Sequence, residues 1–204
     1  MRLDQIGPHD ERPAGVWEQL QQELLRRLRS ANRIDFSRVC VGSSSIPAKK
    51  GPATGPNPTD RGKPGTKRHL VTDRSGIPRA VQLAGASIHD STMLQDRLDA
   101  IPPIGGKPGR PQRRPGTYHA DKGYDDPRCR EACRHRGIPA RIARKGIDSK
   151  GKRGRQRWVV EPAIAWLNRH RCLTIRYERL ADIHQELPNL ACSLITLRAL
   201  YQRF

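Results

Sequence analysis

Apolar residues recur at helical spacing through Val16, Trp17, Leu20, Leu24, Leu25 and Leu28, with Gln, Glu and Arg between them. That period predicts one amphipathic helix, a packing element rather than a DNA-reading helix-turn-helix. The pattern then shortens. Ile34 to Val41, carrying Phe36, Val39, Cys40 and Val41, reads as a buried strand that ends at Gly42-Ser43-Ser44-Ser45. Lys67–Thr72 and Pro78–Ala84 read as two more strands, the second alternating through Val81 and Leu83, and Asp73-Arg74-Ser75-Gly76 between them suits a hairpin. Together the three strands predict an antiparallel meander.

Asp90-Ser91 then caps a helix whose apolar face is Met93, Leu94, Leu98 and Ile101. A fourth strand, Thr117 to Ala120, runs into Asp121 and Gly123. A helix follows to about Arg136, stopped by Gly137, and Ile138 to Ala143 makes a fifth strand. A helix from Arg157 to Arg169 is apolar over most of its circumference, which predicts burial. A last helix spans about 183 to 203. The order of elements is that of a ribonuclease-H-like α/β fold, a mixed five-stranded sheet flanked by helices. Residues 1–33 are expected to form a polar start plus one helix, and residues 34–204 the main domain.

Charge adds a partner. The chain has 204 residues, with 39 Lys and Arg against 20 Asp and Glu, a net charge of +19. An excess of that size suits a polyanion, above all nucleic acid. Residues 47–66, rich in Pro, Gly and basic residues, read as a mobile loop, with an inert linker as the plain alternative, and residues 102–116 as a second Pro/Gly/Arg loop. The candidate backbone-phosphate contacts are Lys49, Lys50, Arg61, Lys63, Lys67, Arg110, Arg113, Arg114, Lys122, Arg153 and Arg155. No apolar run is long enough for a bilayer and no leader pattern opens the chain, so a cytoplasmic location is expected. Five cysteines without CxxC spacing read as free thiols. Cys129, Cys133 and His135 lie close on one helix, but a structural zinc site needs a fourth ligand that the spacing does not supply.

Two carboxylates stand out. Asp121 ends a strand beside Gly123, the place of a turn former or of a metal ligand. Glu161 falls among apolar residues one helical turn after Arg157, which calls for an ion pair or a metal. The segments TGPNPTDRGKPGTKRHLVTDRSG (54–76), LAGASIHDS (83–91), HADKGYDD (119–126) and GRQRWVVEPAIAWLNRHRCLTIRYER (154–179) resemble a bacterial insertion-sequence transposase of the IS4-like kind, with a DDE catalytic domain. The resemblance implies DNA transposition by strand cleavage and transfer at terminal inverted repeats into target DNA, dependent on Mg²⁺ or Mn²⁺, with homo-oligomers in the DNA complex. It makes Asp121 the second catalytic and metal-binding carboxylate, Glu161 the third, and Arg157 a supporting residue. Such acids would hold two ions about 4 Å apart that neutralise charge during phosphoryl transfer.

The resemblance breaks at three points. Gly42 stands where the first catalytic Asp belongs and offers no ligand, so this copy is expected to be impaired, with a non-catalytic DNA-binding protein or an inactive remnant as alternatives. Asp73 is the one other acid considered for the empty position. Pro162 removes a helix N–H directly after Glu161. The helical region that precedes the catalytic domain in such transposases is reduced to one helix, as in an N-terminally truncated copy.

Overall fold

The computed structural model describes residues 15–146 and 159–201. The expected N-terminal helix is α1 (Val16–Ser30). The strands are β1 (Val39–Pro47), β2 (Gly55–Pro56), β3 (Pro64–Asp73), β4 (Pro78–Gly85), β5 (Tyr118–Ala120) and β6 (Ala140–Ile142). The remaining helices are α2 (Leu94–Ala100), α3 (Pro127–His135), α4 (Val160–Arg169) and α5 (Ala181–Tyr201), with short 3₁₀ turns at Asp90–Met93, Lys122–Tyr124 and Arg171–Leu173.

The sheet is mixed, with β4 on β3, then β1, β5 and β6. β1 pairs antiparallel with β3 over its whole length, Val39 opposite Asp73 and Pro47 opposite Gly65. On its other edge β1 pairs parallel with β5, and β5 parallel with β6. This is the ribonuclease-H-like arrangement expected from the order of elements, with the two-residue β2 as a sixth strand on β3.

Period-two alternation sorts the core. Val39, Val41 and Val71 face α2 and α3, and pack with Leu94, Leu98, Tyr118 and Ile142. Cys40 and Leu70 face α4 and α5, and pack with Val160, Ala163, Leu167 and Ile195. A third cluster joins Leu25 and Leu28 of α1 to Ile77 and Ile104. Gln21 ties α1 down further, donating to Pro78 O (2.7 Å) and to Thr196 Oγ1 on α5 (2.9 Å).

Three expectations need correction. First, β1 does not end at Gly42 but continues through the serines to Pro47, because backbone pairing to β3 is indifferent to small polar side chains at half-buried positions. Second, α4 is half-buried rather than wrapped in core: Val160, Ala163 and Leu167 point inward, while Glu161, Pro162 and Ala165 are exposed. Third, residues 47–66 are docked, not loose. Fully buried Arg176 donates to Pro52 O (2.7 Å), Thr54 Oγ1 (3.3 Å), Thr66 Oγ1 (3.0 Å), Glu178 O (3.0 Å) and Arg179 O (3.2 Å). One planar guanidinium thus holds the loop after β1, strand β3 and the segment after the Arg171–Leu173 turn.

A lysine cannot reproduce that fork, since its three donors sit on one atom. Arg176→Lys should strand buried acceptors at a cost of about 2–4 kcal/mol. The expected readouts are a melting temperature lower by roughly 5–10 °C and faster tryptic cleavage at Lys49 and Lys50.

Candidate active site

Asp121 directly follows β5, at the carboxyl end of the parallel part of the sheet. Its Oδ1 accepts the Gly123 amide (2.9 Å) and caps the Lys122–Tyr124 turn, leaving the carboxylate half-exposed with Oδ2 unengaged by that bond. The β1–β5 register pairs Val39 with Tyr118 and Cys40 with His119. Carried on by two residues, it sets Gly42 level with Asp121. Glu161 lies in the first turn of α4, next to Val160, the residue that covers Gly42. The three positions singled out in the sequence therefore fall on three elements, β1, the end of β5 and the first turn of α4.

They do not form a cage. A Cβ added at Gly42 would lie 2.9 Å from Val160 Cγ1, and 3.2 Å from Val160 Cγ2 and Ile164 Cδ1. The direction an aspartate would take from β1 is filled by apolar atoms of α4. Glu161 is exposed, against the expectation of a buried carboxylate, because it occupies the solvent side of a half-buried helix. Among the described residues no three His, Cys, Asp or Glu side chains come together in a way that could hold a metal ion. Cys129 and Cys133 face the core from α3, whereas His135, on the same helix, is exposed. Arg157, Arg153 and Arg155 lie outside the described residues.

Asp73 does not stand in for the missing acid. It is fully buried at the Val39 end of the β1–β3 ladder, and accepts the amides of Asp35 (3.1 Å), Ser75 (2.8 Å) and Ile77 (2.9 Å). Burial raises its carboxyl above the usual range despite those three bonds. Its task is to close the β3–β4 turn.

Asp90 is the acid that the sequence reading missed. Read as a helix cap, it instead lies beside the site while His89 accepts the cap bond from Ser91. Asp90 Oδ2 accepts from Ser43 Oγ (2.8 Å), and Oδ1 from Lys67 Nζ (3.1 Å). Gly123 separates it from Asp121: a Cβ there would lie 3.0 Å from Asp121 Oδ1 and 3.9 Å from Asp90 Oδ2. Burial alone would raise the Asp90 carboxyl; the bonds from Ser43 and Lys67, with the Lys67 charge, outweigh it and hold the group below its usual range. The signal was present in β3, where Lys67 and His69 occupy the inward-facing positions that Val71 continues. Polar residues at such positions need a partner.

Behind Asp90 the interior is cationic. Arg97, with no exposed surface, donates to His69 Nδ1 and stacks over the Tyr124 ring at 5.0 Å. Since a guanidinium only donates, His69 Nδ1 is an acceptor and the ring is neutral. Burial and the Arg97 charge push its pKa down to about 3. Burial likewise pushes His119 down to about 4, helped by Arg38 and Arg141.

Of the basic residues assigned to DNA, Lys49, Lys50, Arg61, Lys63, Arg110 and Lys122 are exposed. Arg113 and Arg114 are exposed too, each with one N–H given to a backbone carbonyl, of Asp99 and Gly137 respectively. Lys67 is a correction: its ammonium is largely buried on Asp90 and on Ile88 O (2.8 Å), so it is spent inside the fold. No helix among the described residues is long and apolar enough to cross a membrane.

A mixed sheet in which β1, β5 and β6 run parallel, flanked by helices, places this domain in the ribonuclease-H-like α/β class. Residues 33–196 match the model of the transposase DDE domain family, and the chain belongs to that family, at family level one of DNA-transposition enzymes. It is 51% identical over 144 residues to a Burkholderia cepacia protein described as a transposase for insertion sequence element IS402, covering 71% of this chain and 68% of that one. A 39-residue stretch is 56% identical to an uncharacterised 16.2 kDa protein of the same element, covering 19% of this chain and 26% of that one. Among solved structures, the Mos1 mariner paired end complex with Mn aligns at 11% identity and a TM-score of 0.45, covering 98% of this chain and 62% of that chain. The catalytic domain of Mos1 mariner transposase aligns at 10% identity and a TM-score of 0.43, covering 95% and 91%.

Two outcomes follow from this geometry. Gly42→Ala should lower stability by about 1–3 kcal/mol through overpacking against Val160, and Val160→Ala in the same chain should recover most of the loss in a denaturant titration. With pH the sign is set by histidines whose folded pKa lies below the ordinary 6.5. The unfolded chain takes up protons first, so stability is full above pH 6.5 and declines as pH falls toward 4, by up to about 1.4 kcal/mol per pH unit for each such histidine. A melting series should be flat above pH 7 and fall below pH 6, less steeply in His69→Gln.

Proposed function

We propose that this chain is a DDE transposase domain with an incomplete catalytic set: Asp121 and Glu161 occupy the second and third acid positions, and nothing occupies the first. The observation that carries the reading is the contact at Gly42. The position is level with Asp121, has no ligand atom, and its outward direction is taken by Val160. Divalent-metal use comes with the family, as Mg²⁺ or Mn²⁺. The residues present do not fit a complete site for such an ion, because two carboxylates on separate elements lack the bridging acid from the central strand. No strand-transfer step is therefore assigned to this chain.

What remains is a basic DNA-binding surface. Lys49, Lys50, Arg61 and Lys63 lie beyond the Pro47 end of β1, and Lys122 adjoins Asp121 in the chain. A phosphate backbone laid along that edge would meet these cations, with Arg110, Arg113 and Arg114 at the opposite end of β1 available to a second stretch of duplex. On this reading the chain occupies terminal inverted repeats or target DNA without cutting them, and so competes with an intact transposase.

The test is a cleavage and strand-transfer assay on terminal-repeat DNA with Mg²⁺ or Mn²⁺. The unmodified chain should give no product; any product at the transposon end would refute the incomplete-site reading. Gly42→Asp alone should stay inactive, because the new side chain meets Val160, whereas Gly42→Asp with Val160→Ala should bind metal and recover cleavage. DNA binding should weaken steeply with salt, with a log–log slope near −0.9 per neutralised phosphate. Changing Lys49, Lys50, Arg61 and Lys63 to Gln should flatten that slope.

A further inference from the structure

Tyr177 is 63% exposed, although the residue before it is among the most firmly held in the fold. Arg176 N donates to Pro47 O (2.8 Å) and Lys49 N donates to Arg176 O (3.2 Å), so Ala48 and Arg176 form a parallel bridge just beyond β1. Both bridged residues are buried. Side chains alternate across extended backbone, so the next residue on each segment, Lys49 and Tyr177, stands on the solvent face, and both are exposed. Ring and ammonium stem are lateral neighbours there. The two segments stay together as far as Gly51, where an added Cβ would collide with Arg179 O. The side-chain bonds of Arg176 to Pro52, Thr54, Thr66, Glu178 and Arg179 fix the same backbone from within. A lone exposed tyrosine is ordinary. A ring mounted on backbone pinned from both sides needs little further ordering to bind, which favours a contact surface.

The charges around the ring identify its occupant. Lys50 and Arg179, close to the pair in the chain, are exposed as well. Glu178, the acid next to Tyr177, is turned onto buried His184, with Oε2 2.7 Å from Nδ1. Asp182 is exposed and accepts the Ile183 amide (2.9 Å) at the start of α5. Cations therefore frame the ring. A flat aromatic surface framed by lysine and arginine matches a nucleobase with its flanking phosphates. Bases in a duplex keep both faces inside the stack, so only an unpaired base can lie on such a ring. We propose that Tyr177 is a stacking platform for an unpaired base of bound DNA, with Lys49 on the adjoining phosphate. The role rests on the DNA-binding reading above, in which DNA passes the Pro47 end of β1. To that reading it adds a preference for unpaired DNA that phosphate contacts do not supply.

Fluorescence anisotropy on the full chain, with a blunt duplex and with the same duplex carrying a short unpaired tail, separates stacking from phosphate binding. The tailed duplex should bind more tightly. Tyr177→Ala, at an exposed position, should leave the melting temperature, blunt-duplex binding and salt slope unchanged while weakening the tailed duplex by about fivefold or more. Tyr177→Phe should bind like the unmodified chain. Lys49→Gln should weaken both DNAs and lower the salt slope. Tyr201→Ala, which removes a 75% exposed ring on α5, should change neither. A tail carrying 5-iodouracil should photocross-link to Tyr177. Equal binding of the two duplexes, a tail preference that survives Tyr177→Ala, or a cross-link at another residue would overturn the platform and leave DNA binding along this edge standing. Failure to bind either DNA would overturn both.

Discussion

Everything in this domain hangs on β1, the strand between the antiparallel and parallel parts of the sheet. β3 pairs along its whole length and β5 at Val39 and Cys40, and its first half is covered on one face by α2 with α3 and on the other by α4 with α5. A residue there can point only into packed apolar atoms or at a partner built to receive it. Cys40 and Val41 take the first course, and Ser43 takes the second by donating to Asp90. Gly42 takes neither, and interiors do not keep a vacancy the size of a carboxylate if a neighbouring side chain can close on it. Val160 has done so. The absence of an acid at this position is thus a packed state of the core.

The two faces of the sheet differ electrically around that strand. On the α4 side the neighbours of Gly42 are aliphatic. On the α2 side a carboxylate, a lysine, a neutral histidine and a buried arginine form a continuous polar ladder from Asp90 to Arg97. Asp121 sits at the end of β5 with Asp90 across Gly123. The ladder explains how an acid so close to Asp121 stays ionised: Lys67 and Ser43 neutralise and solvate it from within.

Alternation and punctuation made most of the fold legible. Leu70 and Val71 sort to opposite faces, Gly137 stops α3, and Asp73-Arg74-Ser75-Gly76 turns β3 into β4, as their residue types require. What stayed hidden were contacts between residues distant in sequence. Nothing near Pro52 or Thr54 announces Arg176, so a docked loop looked mobile. Glu161 sits in an apolar-looking segment, but which arc of a helix faces the sheet depends on the strands beneath, and Glu161 falls on the outer arc. Asp90 was legible as a cap because Asp-Ser is a common cap. The Lys67–His69 pair that claims it lies two elements earlier. Of the candidate site, the positions 42, 121 and 161 were found by motif; the filling of the first was not, since a glycine's neighbours leave no trace in its own sequence.

The Arg176 junction has a consequence for the order in which the chain can fold. Its partners at Pro52, Thr54 and Thr66 were made 124, 122 and 110 residues earlier. At ribosomal speeds of about 5–20 residues per second, those acceptors wait on the order of ten seconds for their donor. Gln21 waits longer still for Thr196, 175 residues away. The meander can form early from local pairings, but its flanks are sealed only when the last two helices emerge. A nascent chain of this protein therefore spends most of its synthesis with a basic loop undocked and α1 without its partner helix, the interval in which a chaperone or a stray polyanion can capture it.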